Sequence, residues 1–363
     1  MKKDNKYGII VVPGHSPSPM KNIGDYVQSL AALQFVPNLG KVVYLDREQL
    51  NTVKQDDDSE IKTIMNGWWM GNPVNFPPAK VINPLYVSFH LRPRIEKSFF
   101  TEKVIKHLRI NGPVGCRDEN TVRLMKAHGI DAYFSGCLTL TLGLTLKHHE
   151  TNDPKVYFVD PYVDKFFSKD IKASLTSLLR SISCFVSQTR KIARIARQIA
   201  LTSNMKRGTL SLYIYATKVY STYSNTFSQD VFENAVYLSH SISKSKYPTD
   251  EKRFQIAREL LEKYSKAKYV VTSKIHCGLP CLGIGTPVIM IVSAGMIRTG
   301  RMGRIKDFFR KGFVENGKCK LSGADFSLAD NELITLSYSF SNYEAHLPYA
   351  NDLIEKCEKF IAN

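Results

Sequence analysis

Short apolar runs alternate with longer amphipathic segments along the first 145 residues of the chain. The apolar runs have the length of buried strands, and the segments between them repeat their apolar positions with the period of a helix. Strands are predicted over residues 8–12, 42–45, 81–89, 115–117 and 132–134, and helices over residues 25–35, 98–108 and 119–128. This alternation predicts an α/β fold built on a parallel sheet.

A polar break separates this region from the rest of the chain. Residues 147–153, with the sequence KHHETND, have no apolar periodicity, and a second alternation of strands and helices follows them. We therefore predict Rossmann-like domains over residues 1–147 and 148–345, and a C-terminal helix within residues 346–363 that returns to the first domain. Two such domains bind ligands in the cleft between them, at the carboxyl ends of their strands.

Residues 269–291 contain the pattern most typical of a ligand site. An apolar run leads into the turn Ser273-Lys274-Ile275-His276, and a segment rich in Gly, Pro and Cys then leads into a second apolar run. The turn places a hydroxyl, an ammonium group and an imidazole at the start of a predicted helix, where backbone N–H groups favour an anion. The alternative is that His276 is a capped loop histidine within ordinary α/β packing.

Two earlier segments also place polar residues at predicted strand ends. Asn22-Ile23-Gly24-Asp25 follows the first strand, where Gly24 permits a close approach of the backbone and Asp25 can cap the next helix. Arg117 lies between a strand tip and a helix, a position that suits a forked contact with phosphate or carboxylate. The alternative for Arg117 is pairing with the two acidic residues that follow it.

The composition indicates a globular protein. Apolar residues make up 43% and aromatic residues 11% of the 363 residues, which excludes a disordered chain. The seven cysteines are odd in number and form no CxxC pair and no Cys/His metal spacing, so we expect reduced thiols, a cytoplasmic protein and no metal. We expect no signal peptide, and no segment approaches the ~20 apolar residues of a membrane-spanning helix.

The net charge of +17 indicates an anionic partner, and the charge is unevenly distributed. No acidic residue occurs between Asp170 and Asp230, while nine lysines and arginines fall in the same interval. We call residues 171–229 the basic segment. Such an uncompensated run creates a local positive field.

Within the basic segment, residues 190–201 predict an amphipathic helix with a basic face and an apolar face. Such a helix can lie in the interface of an anionic membrane, and we predict that contact here. The alternative is a surface helix whose apolar face packs on the core. Nucleic acid is a weaker alternative, because no recognised binding motif accompanies the charge. The basic residues of the predicted membrane patch are Arg190, Lys191, Arg194 and Arg197.

Taken in order, three of these motifs resemble the polysaccharide pyruvyltransferase family. They are Asn22-x-Gly24-Asp25, then Arg117-Asp118-Glu119 with Gly136-Cys137, then Thr272-Ser273-Lys274-Ile275-His276 with Gly285-Thr286-Pro287. The resemblance covers about residues 8–310 and implies two Rossmann-like domains arranged as in GT-B glycosyltransferases. It also implies transfer of a pyruvyl group from phosphoenolpyruvate (PEP) to two hydroxyls of a sugar, forming a cyclic ketal without a cofactor.

The resemblance suggests roles for individual residues. His276 would be the general acid that protonates the PEP methylene carbon, and Asp25 the base that activates a sugar hydroxyl. Donor binding falls to Arg117, Ser273 and Lys274. The family usually has Ser-Arg-Leu-His where this chain has Ser273-Lys274-Ile275-His276. Lys274 thus replaces an arginine, and lysine lacks the two-pronged fork of arginine. We expect Arg298 and Arg301, further along the chain, to bind the donor in place of that arginine.

Acceptors in this family are typically lipid-linked saccharides, the precursors of surface polysaccharides such as capsule or exopolysaccharide. We expect an acceptor of this kind, whose diphosphate is a second possible ligand of the basic helix, and a protein peripheral at the inner face of the membrane. Other histidines are alternative bases, and an exposed indole can stack on a sugar ring. The possible acceptor-site residues are His15, Asn22, His90, His240 and Trp68.

Two other functions fit the same motifs. One is a glycosyltransferase of the GT-B type that uses a sugar nucleotide, because a fold does not fix a function. The other is a non-catalytic saccharide-binding relative, for which the lysine at position 274 gives some room. The nature of the donor distinguishes these alternatives from pyruvyl transfer.

Overall fold

The computed structural model describes residues 5–12, 18–54, 59–163, 171–298, 302–322, 326, 328–329 and 332–363. In the N-terminal half, apolar runs become strands of a six-stranded sheet in the order β3-β1-β4-β5-β6-β7, and its described neighbours all pair in parallel. The strands up to this point are β1 (Lys6–Val11), β2 (Met20–Asn22), β3 (Val42–Asp46), β4 (Ile61–Trp69), β5 (Ile82–Leu91), β6 (Val114–Cys116) and β7 (Ala132–Phe134).

A second six-stranded sheet forms in the C-terminal half, in the order β14-β13-β12-β11-β8-β9. Its neighbours are parallel except for the final antiparallel pair, β13 and β14. The strands are β8 (Lys155–Val159), β9 (Val236–Leu238), β10 (Ser241–Ser243), β11 (Ala267–Thr272), β12 (Val288–Ser293), β13 (Arg310–Glu315) and β14 (Lys318–Leu321). In both sheets the strand order reverses beside the first strand, where ligands of open α/β sheets bind.

Helices connect the strands of both sheets. In the N-terminal half they are α1 (Gly24–Leu33), α2 (Glu96–Phe99), α3 (Glu102–Ile110) and α4 (Glu119–Ala127). In the C-terminal half they are α5 (Ile171–Ser187), α6 (Thr189–Thr202), α7 (Leu210–Tyr223), α8 (Gln229–Asn234), α9 (Asp250–Ser265), α10 (Ile275–Ile284), α11 (Ala294–Arg298) and α12 (Leu347–Ala362). A 3-10 helix, Gly303–Phe308, lies between α11 and β13.

The predicted α/β class is confirmed, with parallel strands in both sheets. The strands reach this arrangement because their apolar runs are buried on both faces, as β12 shows along its full length. Residues 146–154 connect the sheets without a helix or strand. The domain limits and the GT-B-like arrangement stay predictions.

Several contacts join the two halves. Strands β2 and β10 pair in an antiparallel ribbon, so each half contributes one strand. The Tyr26 hydroxyl on α1 donates to Asp250 at the start of α9, at 2.5 Å. At the end of the chain, α12 packs on the N-terminal half, where the Lys62 ammonium donates to the carbonyls of Phe360 and Ile361 at 3.4 and 3.3 Å.

A pair of glycines allows the two halves to pack closely. Helix α10 packs on the 3-10 helix Leu138–Leu144, which follows β7. A Cβ atom on Gly283 would lie 2.5 Å from the Leu140 carbonyl oxygen, and one on Gly143 would lie 2.1 Å from the Gly283 carbonyl oxygen. Neither position has room for a side chain, because both neighbours are backbone atoms.

We expect Gly283→Ala to lower the free energy of unfolding by about 1–3 kcal/mol, since the methyl group forces two backbone segments apart. Denaturant unfolding followed by circular dichroism measures this loss. Gly295→Ala is the matched control, because a Cβ there lies no closer than 3.8 Å to another heavy atom. Equal stability of the two variants would contradict the proposed close packing.

Candidate active site

The carboxyl ends of four N-terminal strands open into one pocket of about 530 Å³. The ends of β3, β4, β5 and β6 bring Arg47, Trp68, His90 and Arg117 to its wall. The first turns of α1 and α10 add one residue each, Asp25 and His276. The full lining is Asn22, Asp25, Arg47, Trp68, His90, Leu91, Arg92, Arg94, Arg117, Asp118, Asn120 and His276. The pocket therefore lies at the strand ends where parallel sheets bind ligands.

Arg117 is the most informative residue of this wall. Its side chain is 1% exposed, and Nη1 donates to Nε2 of His276 at 3.2 Å. The other two nitrogens, Nε and Nη2, have no partner among the residues that the structure describes. These two N–H groups form the side-on fork of a guanidinium, the geometry that receives both oxygens of a carboxylate or phosphate. Buried donors without a partner are rare in folded proteins and call for a ligand.

Three further arginines surround the same space. Burial, followed by the positive charges of neighbouring arginines, lowers the pKa of Arg92. Those neighbours are Arg94, Arg47 and Arg117. Four guanidinium groups around one cavity create a positive potential that attracts an anionic ligand.

Sequence reasoning missed Arg47, Arg92 and Arg94. A signal was present, because Arg92-Pro93-Arg94 comes directly after the strand predicted to end at residue 89. Cations at the carboxyl end of a parallel strand are candidates for an anion site.

Trp68 is held between charged groups at the pocket wall. The guanidinium carbon of Arg47 lies 4.6 Å from the centre of the Trp68 ring, and that of Arg92 lies 4.4 Å from it. Such contacts orient the indole through cation–π attraction. The neighbouring Trp69 is fully buried in the core. Of the two tryptophans, only Trp68 lines the pocket.

His276 is positioned from three sides. A Cβ on Gly24 would lie 2.9 Å from the Cβ of His276, so only glycine lets α1 begin this close to the histidine. Because a guanidinium can only donate, Nε2 of His276 accepts from Arg117, and the neutral ring carries its proton on Nδ1. The Gln28 amide lies 3.4 Å from Nδ1 through its Nε2, while its Oε1 has no partner in the described chain. Turning that amide over lets Oε1 accept the Nδ1 proton.

His90 and Asp118 form a second buried pair. The Asp118 carboxylate accepts from His90 Nδ1 at 2.5 Å and also caps α4 by accepting from the Thr121 backbone N–H at 3.0 Å. Burial alone would raise the pKa of the Asp118 carboxyl, but the hydrogen bond and charge of His90, and then the charge of Arg117, hold that pKa below its usual value. In the neutral form of the ring, the ionised carboxylate fixes the proton on Nδ1 of His90 and leaves the lone pair on Nε2.

Three residues predicted for the site lie outside the pocket lining. Ser273 donates to the Asp160 carbonyl at 2.7 Å, and the Lys274 ammonium lies 3.9 Å from the Asp160 carboxylate. His240 is buried against the Tyr264 hydroxyl, at 2.8 Å. The structure gives none of them a contact with the pocket that contains His276.

Three other predicted residues cannot be placed in full. His15 and Arg301 lie outside the described residues. Arg298 ends α11, and its side chain is also outside the described part of the chain. Their predicted roles in acceptor and donor binding stay predictions.

The basic helix α6 differs from its membrane-bound prediction. Its apolar side chains Ile192, Ile195 and Ile199 are fully buried in the core of the C-terminal half, so this face cannot enter a bilayer interface. The helix is the core-packed surface helix that the same pattern allowed. On its basic face, Arg194 pairs with Glu233 at 3.0 Å, and the Lys191 ammonium contacts the Tyr220 hydroxyl.

A family model matches the greater part of the chain. The family model described as polysaccharide pyruvyl transferase matches residues 22–294, which include both the Asn22 motif and the His276 turn. The chain belongs to the polysaccharide pyruvyl transferase family. The resemblance seen in the sequence is thereby confirmed, and a transferase acting in polysaccharide biosynthesis is indicated. Comparisons with curated proteins and with solved structures found no match.

Among the described residues, no group of three or more His, Cys, Asp and Glu side chains could hold a metal ion. Within the same residues, no helix combines the length and the apolar character required to cross a bilayer.

Arg117→Met is expected to raise the free energy of unfolding of the ligand-free protein by about 1–3 kcal/mol, the cost of leaving buried donors unpaired. The melting temperature measures this change. Arg109→Met is the control, because the Arg109 guanidinium donates to the carbonyls of Gly129 and His128, and its loss should destabilise. A similar fall in both variants would show that the Arg117 fork is already satisfied.

Proposed function

We propose that this pocket transfers a pyruvyl group from PEP to two hydroxyls of a saccharide, forming a cyclic ketal and releasing inorganic phosphate. The observation that carries the proposal is the buried, unpartnered fork of Arg117 beside His276. PEP has a carboxylate and a phosphate next to a carbon that must be protonated. An anion-binding fork in contact with a titratable imidazole meets both needs.

In this proposal, Arg117 and the three neighbouring arginines hold the two anionic groups of PEP. Lys274 is not required for that task, since the pocket already has four guanidinium groups. The lysine at that position is therefore compatible with donor binding. The acceptor sugar stacks on Trp68 and contacts Asn22, both of which line the same cavity.

His276 acts as the general acid. In the empty site Nε2 of His276 accepts from Arg117, and the positive guanidinium opposes a second charge on the ring. A donor anion bound by the free Nε and Nη2 fork of Arg117 offsets that positive charge, so protonation of the ring becomes favourable. Donor binding thus prepares the acid for transfer of a proton to the PEP methylene carbon.

His90 acts as the base, with Asp118 as its positioning residue. It takes the proton of the first sugar hydroxyl as the oxygen attacks C2 of PEP, while the methylene carbon receives a proton from His276. The second hydroxyl then attacks C2, and the bond between C2 and the phosphate oxygen breaks. The proton of the second hydroxyl leaves with the phosphate. Asp25, the base suggested by the motif, also lines the pocket and is the competing candidate.

We further propose a lipid-linked acceptor, handled at the cytoplasmic face of the membrane for a surface polysaccharide such as capsule. The saccharide nature of the acceptor is supported by the family description, which names a polysaccharide. The uncompensated charge of the basic segment supports an anionic surface or diphosphate nearby.

The first test is stabilisation of the full chain by ligands. PEP should raise the melting temperature with concentration, and Arg117→Lys should weaken the apparent affinity by about 10- to 100-fold, because the fork is lost. Lys274→Ala, outside the pocket, should leave the response unchanged. Stabilisation by nucleotide sugars and none by PEP would assign the pocket to glycosyl transfer instead.

Reaction rates of variants test the assignment of the acid and of the base. His276→Gln should keep PEP stabilisation but lower phosphate release, measured with a lipid-linked saccharide, by about 10²- to 10⁴-fold. His90→Gln and Asp118→Asn should each slow the reaction, and the double variant should be no slower than His90→Gln alone. If Asp25→Asn abolishes release while His90→Gln leaves it intact, Asp25 is the base.

A further inference from the structure

Helix α5 exposes an apolar face to solvent and turns a polar face to the protein, the reverse of an ordinary surface helix. Among the side chains of α5 that the structure describes, residues 175–187, the buried ones are polar and small, Ser177 and Ser181, while Cys184 on the same face is half-buried. Its opposite face is apolar and open to solvent, with exposures between 41% and 72%. The exposed residues are Leu175, Leu178, Leu179, Ile182 and Val186. Amphipathic helices of globular proteins normally show the reverse arrangement.

The spacing of the exposed residues makes them one continuous stripe. They recur at intervals of three and four along α5, which places them on one side over about 16 Å of helix. The buried face needs no further partner, because the Ser181 hydroxyl donates to the Ser177 carbonyl within the helix at 2.8 Å. Helix α5 therefore packs on the protein through its polar face, and its apolar face is left exposed to solvent.

Charge selects the occupant of this face. The stripe lies within the basic segment, which has no Asp or Glu, and exposed cations flank it on the following helices and loop. These include Arg190, Arg197, Lys206 and Arg207. A second copy of the chain would bring two such basic segments together, and like charges oppose that pairing. An anionic lipid surface instead satisfies both the leucines and the cations.

We propose that α5 lies in the interface of an anionic membrane, with its leucine stripe among the acyl chains and the neighbouring cations at the headgroup phosphates. The inference refines the membrane part of the proposed function, on which it rests, by assigning the apolar contact to α5. Helix α6, whose apolar side is core, contributes charge alone.

The test is sedimentation of the full chain with vesicles of phosphatidylglycerol and phosphatidylcholine. Binding should be strong, should fall as salt rises, and should be weak with phosphatidylcholine alone. Leu179→Glu combined with Ile182→Glu should weaken binding at least ~10-fold, because charges replace inserted side chains. Ile110→Glu is the matched control, since Ile110 is equally apolar and 71% exposed on α3, and it should bind like the native chain.

Two measurements keep the outcomes separate. The α5 double variant should keep the native melting temperature and its response to PEP, so lost vesicle binding cannot be ascribed to misfolding. Vesicle binding without any response to PEP would remove the proposed donor and leave this inference standing. Absence of vesicle binding by the native chain would overturn it. So would light scattering that shows a native dimer, split by the α5 variant while vesicle binding is unchanged.

Discussion

The burial of the Arg117 guanidinium against His276 is the interaction on which the rest of the site depends. The two residues are 159 positions apart, one at the end of β6 and the other in the first turn of α10. Their contact therefore exists only when the two halves of the chain are held in register. The pairing of β2 with β10 and the contact of Gly143 with Gly283, both made by backbone atoms, hold that register. A buried cation with two unused donors opposes folding, and proteins keep such costs where a ligand later removes them.

The pocket uses residues that also build the fold. The Asp118 carboxylate caps the N-terminus of α4, and the same carboxylate fixes the tautomer of His90. Gly24 begins α1, and its missing side chain leaves the space in which His276 sits. Mutating either residue would therefore disturb structure and chemistry together. Single losses of activity at these positions need a stability measurement beside them before a catalytic role is assigned.

Much of this arrangement follows from the sequence, and the remainder depends on geometry that periodicity does not encode. Apolar runs predicted most strands, and the rule that parallel strands bind ligands at their carboxyl ends predicted that Asn22, Arg117 and His276 would meet. The turn after β11 was harder, because whether Lys274 points to the pocket or to Asp160 is set by the start of α10. Amphipathic patterns likewise do not say which face is covered. Helix α6 buried its isoleucines, whereas α5 exposed its leucines.

The division of labour between the halves also explains how the chain accommodates a lysine in the His276 turn. The cations of the pocket come from β3, β5 and β6 of the N-terminal sheet, while α10 supplies the imidazole. In the proposed reaction, the charge that binds the donor and the proton that activates it thus come from different halves. A substitution in the turn alters the charge beside Asp160 but leaves the guanidinium cluster intact. What the proposed reaction requires of α10 is the position of His276 relative to Arg117, and the close packing of Gly24 on His276 constrains that position.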